Sequence, residues 1–137
     1  MTEQELVNKR LAFIETCLED LASARPEQLA TDIRERRFVE HTLQLAVHAA
    51  LDVSSHIVSD ERLGEPTTNR ELFGLLASGG FLPLSLASAL RDMAGFRNVL
   101  VHGYADVDLA VVRDVLAHRL DDLHAFVATI RSRLVVR

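Results

Sequence analysis

The chain has 137 residues, the usual size of a single domain, and 48% of them are hydrophobic and 26% charged, as in folded proteins. Its one cysteine, Cys17, excludes an internal disulfide framework. The net charge of -5 and the 5% of aromatic residues, none of them tryptophan, disfavour a broadly basic surface for nucleic acid and an aromatic platform for stacked bases. We therefore expect one domain over residues 1–137.

No targeting or membrane segment is predicted. Glu3 and Glu5 stand where a secretory signal would have positive charge. The uncharged stretch 72–90 is close to the length of a membrane span, roughly twenty residues. Gly79-Gly80 and Pro83 interrupt it, so two buried helices that meet at a turn explain it better. We expect a cytoplasmic protein that does not associate with a membrane.

Two helices are predicted in the first half of the chain. Thr2 and Glu5 have capping-box spacing, as do Asp32 and Glu35, so a helix is expected to begin at each pair. The first helix has one apolar seam, formed by Val7, Leu11, Ile14, Leu18 and Leu21. The second has two adjacent stripes, Val39, Leu43, Ala46, Ala50, Val53, Ile57 and Phe38, Thr42, Leu45, Ala49, Asp52, His56. Two stripes indicate that the second helix packs against two partners at once.

A third and a fourth helix follow a loop. Thr68 and Glu71 again have capping-box spacing, and Gly79-Gly80 is a typical stop signal. Pro83 suits the first turn of the fourth helix, which is expected to end near Gly103. Its apolar face consists of Leu86, Leu90, Met93 and Leu100.

A fifth helix is predicted to continue to the C-terminus. Asp106 or Asp108 can cap it. Its seam consists of Leu109, Val112, Leu116, Leu123, Phe126 and Ile130. Strand patterns are too short and isolated to form a sheet, so the fold class is all-α, an antiparallel bundle of four or five helices.

The segment 96–104 concentrates polar residues among apolar ones, with Arg97, Asn98, His102 and Tyr104, the only tyrosine of the chain. On a regular helix residues five apart point roughly 140° from each other. Arg97 and His102 of one chain therefore meet only if the helix frays before Gly103, whereas two copies related by a two-fold axis can bring them together.

The spacing of Arg97, His102 and Tyr104 resembles the R-x4-H-x-Y signature of the HepT toxins, which belong to the HEPN superfamily of helical ribonucleases. Asn98 matches the polar residue that often follows the arginine. The likeness extends over nearly the whole chain, including segments 43–59 and 71–80, which are similar to the second and third helices of the family.

The resemblance implies a metal-independent endoribonuclease that acts as a homodimer through the helix bearing the motif, on an RNA substrate. Arg97 and His102 would be catalytic, and Asn98 would orient a phosphate oxygen or the histidine. Tyr104 would accept AMP from a partner antitoxin, a nucleotidyltransferase of the MntA type. The added bulk and negative charge would block RNA phosphate. The homodimer could also form a larger hetero-oligomer with this antitoxin.

Helix two offers further candidates. Asp52 and His56 are four residues apart, so they could support the site, help to bind RNA, or simply form a polar pair in a bundle seam. His41, His48, Asp52 and His56 suggest metal ligands, and the first three lie near one face. A di-iron bundle site, however, needs Glu-x-x-His pairs on two helices, and the chain does not provide them. We expect no metal and no cofactor.

Several alternatives remain at this point. Arg97 could pair with an acidic residue across a dimer, His102-Gly103 could be an ordinary helix C-cap, and Tyr104 could be a buried ring. The alternative function is a non-catalytic helical adaptor that binds a nucleotide or a nucleotidyltransferase. A purely structural bundle with an accidental motif ranks last.

Overall fold

The structure is a computed structural model that describes the backbone of residues 3–102 and 108–136, and the side chains of 3–100 and 108–134. Within these ranges it has no strand, which confirms the all-α prediction. Its elements are α1 (Glu3–Ala22), a 3-10 turn (Pro26–Gln28), α2 (Ile33–Asp60), α3 (Glu71–Ser78), α4 (Leu84–His102), α5 (Leu109–Asp114), a π-helical segment (Val115–Arg119) and α6 (Leu120–Val136).

Helix α2 is the centre of the bundle, since it packs against α1, α3, α4 and α6. Glu3 at the start of α1 contacts His56 near the end of α2, so these two helices are antiparallel. All five residues of the predicted α1 seam and all six of the first α2 stripe are buried. Phe73 of α3 and Phe126 of α6 meet edge to face in the core, with ring centroids 6.1 Å apart.

Helix α2 begins at the predicted cap, although Glu35 acts differently from the capping-box prediction. The Asp32 carboxylate accepts hydrogen bonds from the backbone N–H groups of Arg34 and Glu35. The Glu35 carboxylate does not turn back to Asp32. It is buried and accepts a hydrogen bond of 2.6 Å from the backbone N–H of Arg25, with the Arg25 guanidinium 3.8 Å away. Glu35 therefore fastens the preceding loop to α2.

The long uncharged stretch of the sequence forms most of α3, the turn after it and the first part of α4. The Glu71 carboxylate accepts hydrogen bonds from the backbone N–H and the hydroxyl of Thr67 and also interacts with the backbone N–H of the predicted partner Thr68. The helix itself begins at Glu71, three residues after the predicted start. The helix ends at Gly79 and Gly80, and the φ of +83° at Gly80 is accessible to glycine at little cost. Helix α4 then begins at Leu84, after Pro83. No helix in the described ranges has the length and apolarity needed to cross a membrane.

The last third of the chain is helical from Leu109 to Val136, with the π-helical segment between α5 and α6. The Asp108 carboxylate accepts the backbone N–H of Ala110, which confirms it as the N-cap. Leu116 and Leu123 of the predicted seam are seven positions apart, and the π-helical segment overlaps the first part of that interval, with Val115 buried in the core. The predicted features at Thr2, Gly103 and Asp106 lie outside the described residues.

Cys17, the only cysteine, is a core residue of α1. Its side chain is buried. Burial raises the pKa of the thiol, and Asp20 raises it further. The thiol is therefore a packing group in this fold.

Candidate functional site

Arg97 lies on the part of α4 that packs against α2, and its side chain is half-buried. The Arg97 Nη2 atom is 3.3 Å from Nδ1 of His48 on α2. The Arg97 Nε atom is buried and has no hydrogen-bond partner among the described residues. The position of the guanidinium thus depends on the packing of α4 against α2 and on one hydrogen bond.

His48 connects Arg97 to two further charged groups. Its Nε2 atom is 3.7 Å from the Asp52 carboxylate, one turn along α2. The same carboxylate oxygen, Oδ2, is 3.7 Å from Nε of Arg10 on α1. We call Arg10, His48, Asp52 and Arg97 the polar cluster. It joins three helices and contains two arginines and one carboxylate, so it is positively charged in a chain whose net charge is -5.

The cluster brings together some of the predicted site residues. Asp52 reaches Arg97 through His48. His56, one turn after Asp52, has Glu3 as its partner, with 2.9 Å between Nδ1 of His56 and Oε2 of Glu3. In the described part of the chain, Asp52 therefore belongs to the surroundings of Arg97, whereas His56 belongs to a separate pair near the start of α1.

The rest of the motif lies at the C-terminal end of α4. Asn98 is exposed, on the side of α4 that faces solvent. The backbone of His102 is still helical, so position 102 shares a face with position 98 and lies roughly 140° from position 97. The side chain of His102 and all of Tyr104 lie outside the described residues.

Sequence reasoning did not identify His48 as part of this site. By sequence, His48 is a candidate only as a metal ligand, together with His41, Asp52 and His56. Among the described residues no group of three histidine, cysteine, aspartate or glutamate side chains could hold a metal ion. The Arg97 guanidinium contacts Nδ1 of His48, so its positive charge and its hydrogen bond disfavour a metal cation at that nitrogen. The only sequence signal for His48 was its position four residues before Asp52, because the contact with α4 depends on how two helices pack.

Comparisons with known proteins place this chain in a family. The family described as "Ribonuclease HepT-like" matches residues 14–130. The chain belongs to the HepT-like ribonuclease family. Its sequence is 28% identical over 130 residues to the "mRNA nuclease HepT" of Shewanella oneidensis, covering 93% of this chain and 98% of that one. It is 33% identical over 138 residues to the "tRNA nuclease HepT" of Aphanizomenon flos-aquae, covering 98% and 88%.

Solved structures show the same architecture. A crystal structure described as a toxin-antitoxin with AMP-PNP superimposes with a TM-score of 0.89 at 28% identity, covering 93% of this chain and 98% of that one. A tri-AMPylated Shewanella oneidensis HEPN toxin in complex with MNT antitoxin gives a TM-score of 0.87, also at 28% identity, covering 96% and 99%. The Bacillus subtilis cytosolic protein YutE shares the fold at 18% identity, with a TM-score of 0.86 over 96% of this chain and 90% of that one.

Proposed function

We propose that this chain is an endoribonuclease toxin of a HepT/MntA-type toxin–antitoxin system. The observation that carries the proposal is the placement of Arg97 on α4, against a histidine instead of a carboxylate, within a positively charged cluster. Neutral His48 accepts a hydrogen bond without adding a negative charge. The positive charge of the guanidinium therefore stays uncompensated by this partner and is available to a phosphate group. The named nuclease relatives support the same activity.

The proposed reaction uses the nucleophile that RNA itself contains. The ribose 2′-OH attacks the neighbouring phosphate, the bond to the 5′-oxygen breaks, and the products end in a 2′,3′-cyclic phosphate and a 5′-OH. His102 transfers a proton from the attacking hydroxyl or to the leaving oxygen, since an imidazole exchanges protons near neutral pH. Arg97 stabilises the charge that develops on the phosphate oxygens, and Asn98 orients one of them. No metal takes part in these steps.

The active site is proposed to be shared by two protomers. Positions 97 and 102 lie roughly 140° apart around the same helix, so a phosphate that meets both residues is proposed to be reached from two copies of α4. Asn98 and Val99 are exposed on α4, and the 49% exposed fraction of Val99 is large for an apolar residue. A homodimer through α4 would cover this surface and complete each site.

Tyr104 is proposed as the point of control. A nucleotidyltransferase antitoxin of the MntA type would transfer AMP to its hydroxyl, and the new phosphate would repel the RNA phosphate from Arg97. The structure of an AMPylated HEPN toxin bound to MNT antitoxin supports this partner and this modification. Mass spectrometry of the chain co-expressed with such an antitoxin would show a mass increase of one or more AMP groups, and Tyr104→Phe should lose the group attached to residue 104.

Substitution of the two catalytic residues tests the activity. Arg97→Ala and His102→Ala should each abolish toxicity on expression and cleavage of RNA by the purified, unmodified dimer. Arg91→Ala is the matched control, because Arg91 is an exposed arginine on the same helix, outside the polar cluster. Cleavage should persist in excess chelator, and the products should carry cyclic phosphate ends.

Two results would contradict the proposal. The first is that toxicity and cleavage are the same in both alanine variants as in the unchanged chain. The second is that pure, unmodified protein leaves RNA intact while binding the nucleotidyltransferase tightly, which would identify a non-catalytic helical adaptor instead.

A further inference from the structure

His48 carries an inference that rests on the proposed ribonuclease function. Arg97 has one hydrogen bond to a described residue, from Nη2 to Nδ1 of His48, and its buried Nε atom has none. We propose that His48 is a positioning residue that orients the Arg97 guanidinium toward the RNA phosphate. Loss of this hydrogen bond leaves the end of a long side chain free to rotate away from the reacting group.

The contact requires one particular state of the imidazole. An arginine can only donate hydrogen bonds, so Nδ1 of His48 must accept one and cannot carry a proton. The ring proton is therefore assigned to Nε2. That nitrogen faces the Asp52 carboxylate at 3.7 Å, and the negative charge favours N–H on this side of the ring. Asp52 thus acts on Arg97 by selecting the tautomer of His48, and Arg10 lies on the same carboxylate oxygen.

A neutral partner has a consequence that a carboxylate would not have. A carboxylate on Arg97 would form an ion pair and compensate the charge that the phosphate needs. His48 orients the guanidinium and leaves its charge uncompensated. The carboxylate of the cluster stays on the far side of the imidazole, next to Arg10.

Three substitutions at His48 separate orientation from charge. His48→Leu removes the acceptor and should lower kcat about 100-fold, a loss that a misplacement of about 1 Å can cause. His48→Asn can place its amide oxygen near the position of Nδ1 and should recover most of this loss. His48→Asp offers an acceptor but adds a charge, so the KM for RNA should rise more than kcat falls. His124→Leu is the control, because His124 is exposed on α6.

A measurement independent of cleavage tests the same contact. Hydrogen exchange of the Arg97 Nε–H, followed by NMR in the dimer and assigned by its loss in Arg97→Lys, should be slow in the unchanged chain because that atom is buried. It should become faster in His48→Leu and slow again in His48→Asn. Thermal unfolding of each variant shows whether it is folded, and the Asn and Asp variants still test the contact if the Leu variant does not fold.

The results separate this inference from the proposed function. Unchanged kcat and unchanged Arg97 exchange in His48→Leu would overturn the role of His48, even if Arg97→Ala abolishes cleavage. Unchanged cleavage in Arg97→Ala would instead overturn the proposed function, whereas the exchange measurement would still show whether His48 orients Arg97. Equal activity of the Leu and Asn variants would also contradict the positioning role.

Discussion

The shared active site can be tested by mixing two inactive variants. Helix α4 is continuous through His102, so positions 97 and 102 are about 7.5 Å apart along its axis and roughly 140° apart around it. Arg97 is turned toward α2 of its own chain. If each site takes Arg97 from one protomer and His102 from the other, Arg97→Ala and His102→Ala affect different halves of the same site.

The expected recovery follows from the symmetry of the dimer. Equal amounts of the two variants, allowed to exchange protomers, give about half heterodimers. Each heterodimer has one intact site and one site that lacks both residues. With two independent sites per dimer, the mixture should therefore have about a quarter of the activity of the unchanged protein.

The assay is cleavage of a fluorescent RNA by the variants alone and after mixing, with exchange of protomers checked by native mass spectrometry. A mixture of Arg97→Ala with the double variant should show no recovery, because no heterodimer then has an intact site. Recovery is also absent if a single chain supplies both residues. The composite site would be refuted if protomers exchange and the cleavage activity of the mixture still stays as low as that of the separate variants.

Three further predictions concern stability. Phe126→Ala, which removes a fully buried ring from the core, should cost about 3–5 kcal/mol in urea unfolding, and a cost below about 1 kcal/mol would contradict the core assignment. Glu35→Ala should cost about 1–3 kcal/mol by removing the acceptor of the Arg25 N–H, and Glu35→Gln should cost less; equal costs would show that the hydrogen bond is not the cause. The hydrogen bond from Arg131 lowers the pKa of Glu15 below its ordinary value of 4.5, so this exposed pair should stabilise the fold by at most about 1 kcal/mol above that pH and lose its effect as the pH falls through the lowered value. Unfolding of Glu15→Gln between neutral and acidic pH checks this, and an effect that grows on acidification would contradict it.

Much of the bundle could be predicted because helices have a short repeat. The α1 seam and the first α2 stripe needed only the spacing of apolar residues, and both are buried. The caps at Asp32 and Asp108 needed only a polar residue before an apolar run. These features depend on neighbours within one or two turns, which a single sequence contains.

The polar cluster could not be predicted in this way. The contact between His48 and Arg97 joins residues 49 positions apart, and it depends on the rotation and the axial shift of α4 against α2. Apolar periodicity predicts which faces meet but does not specify these two quantities to within a hydrogen-bond length. The same reason explains the partner of Glu35. The capping-box pattern pairs its carboxylate with Asp32 nearby in sequence, whereas in the fold the carboxylate accepts from the backbone N–H of Arg25 in the preceding loop.

The buried Cys17 makes the protein well suited to measurements with attached probes. Its thiol is covered by the core and its raised pKa keeps it protonated, so reagents that need an exposed thiolate should react with it slowly. A cysteine introduced at an exposed position, such as Ser88 on α4, would then be labelled selectively without first removing the native one. With a donor dye on one chain and an acceptor dye on another at that position, energy transfer would report whether two α4 helices approach each other.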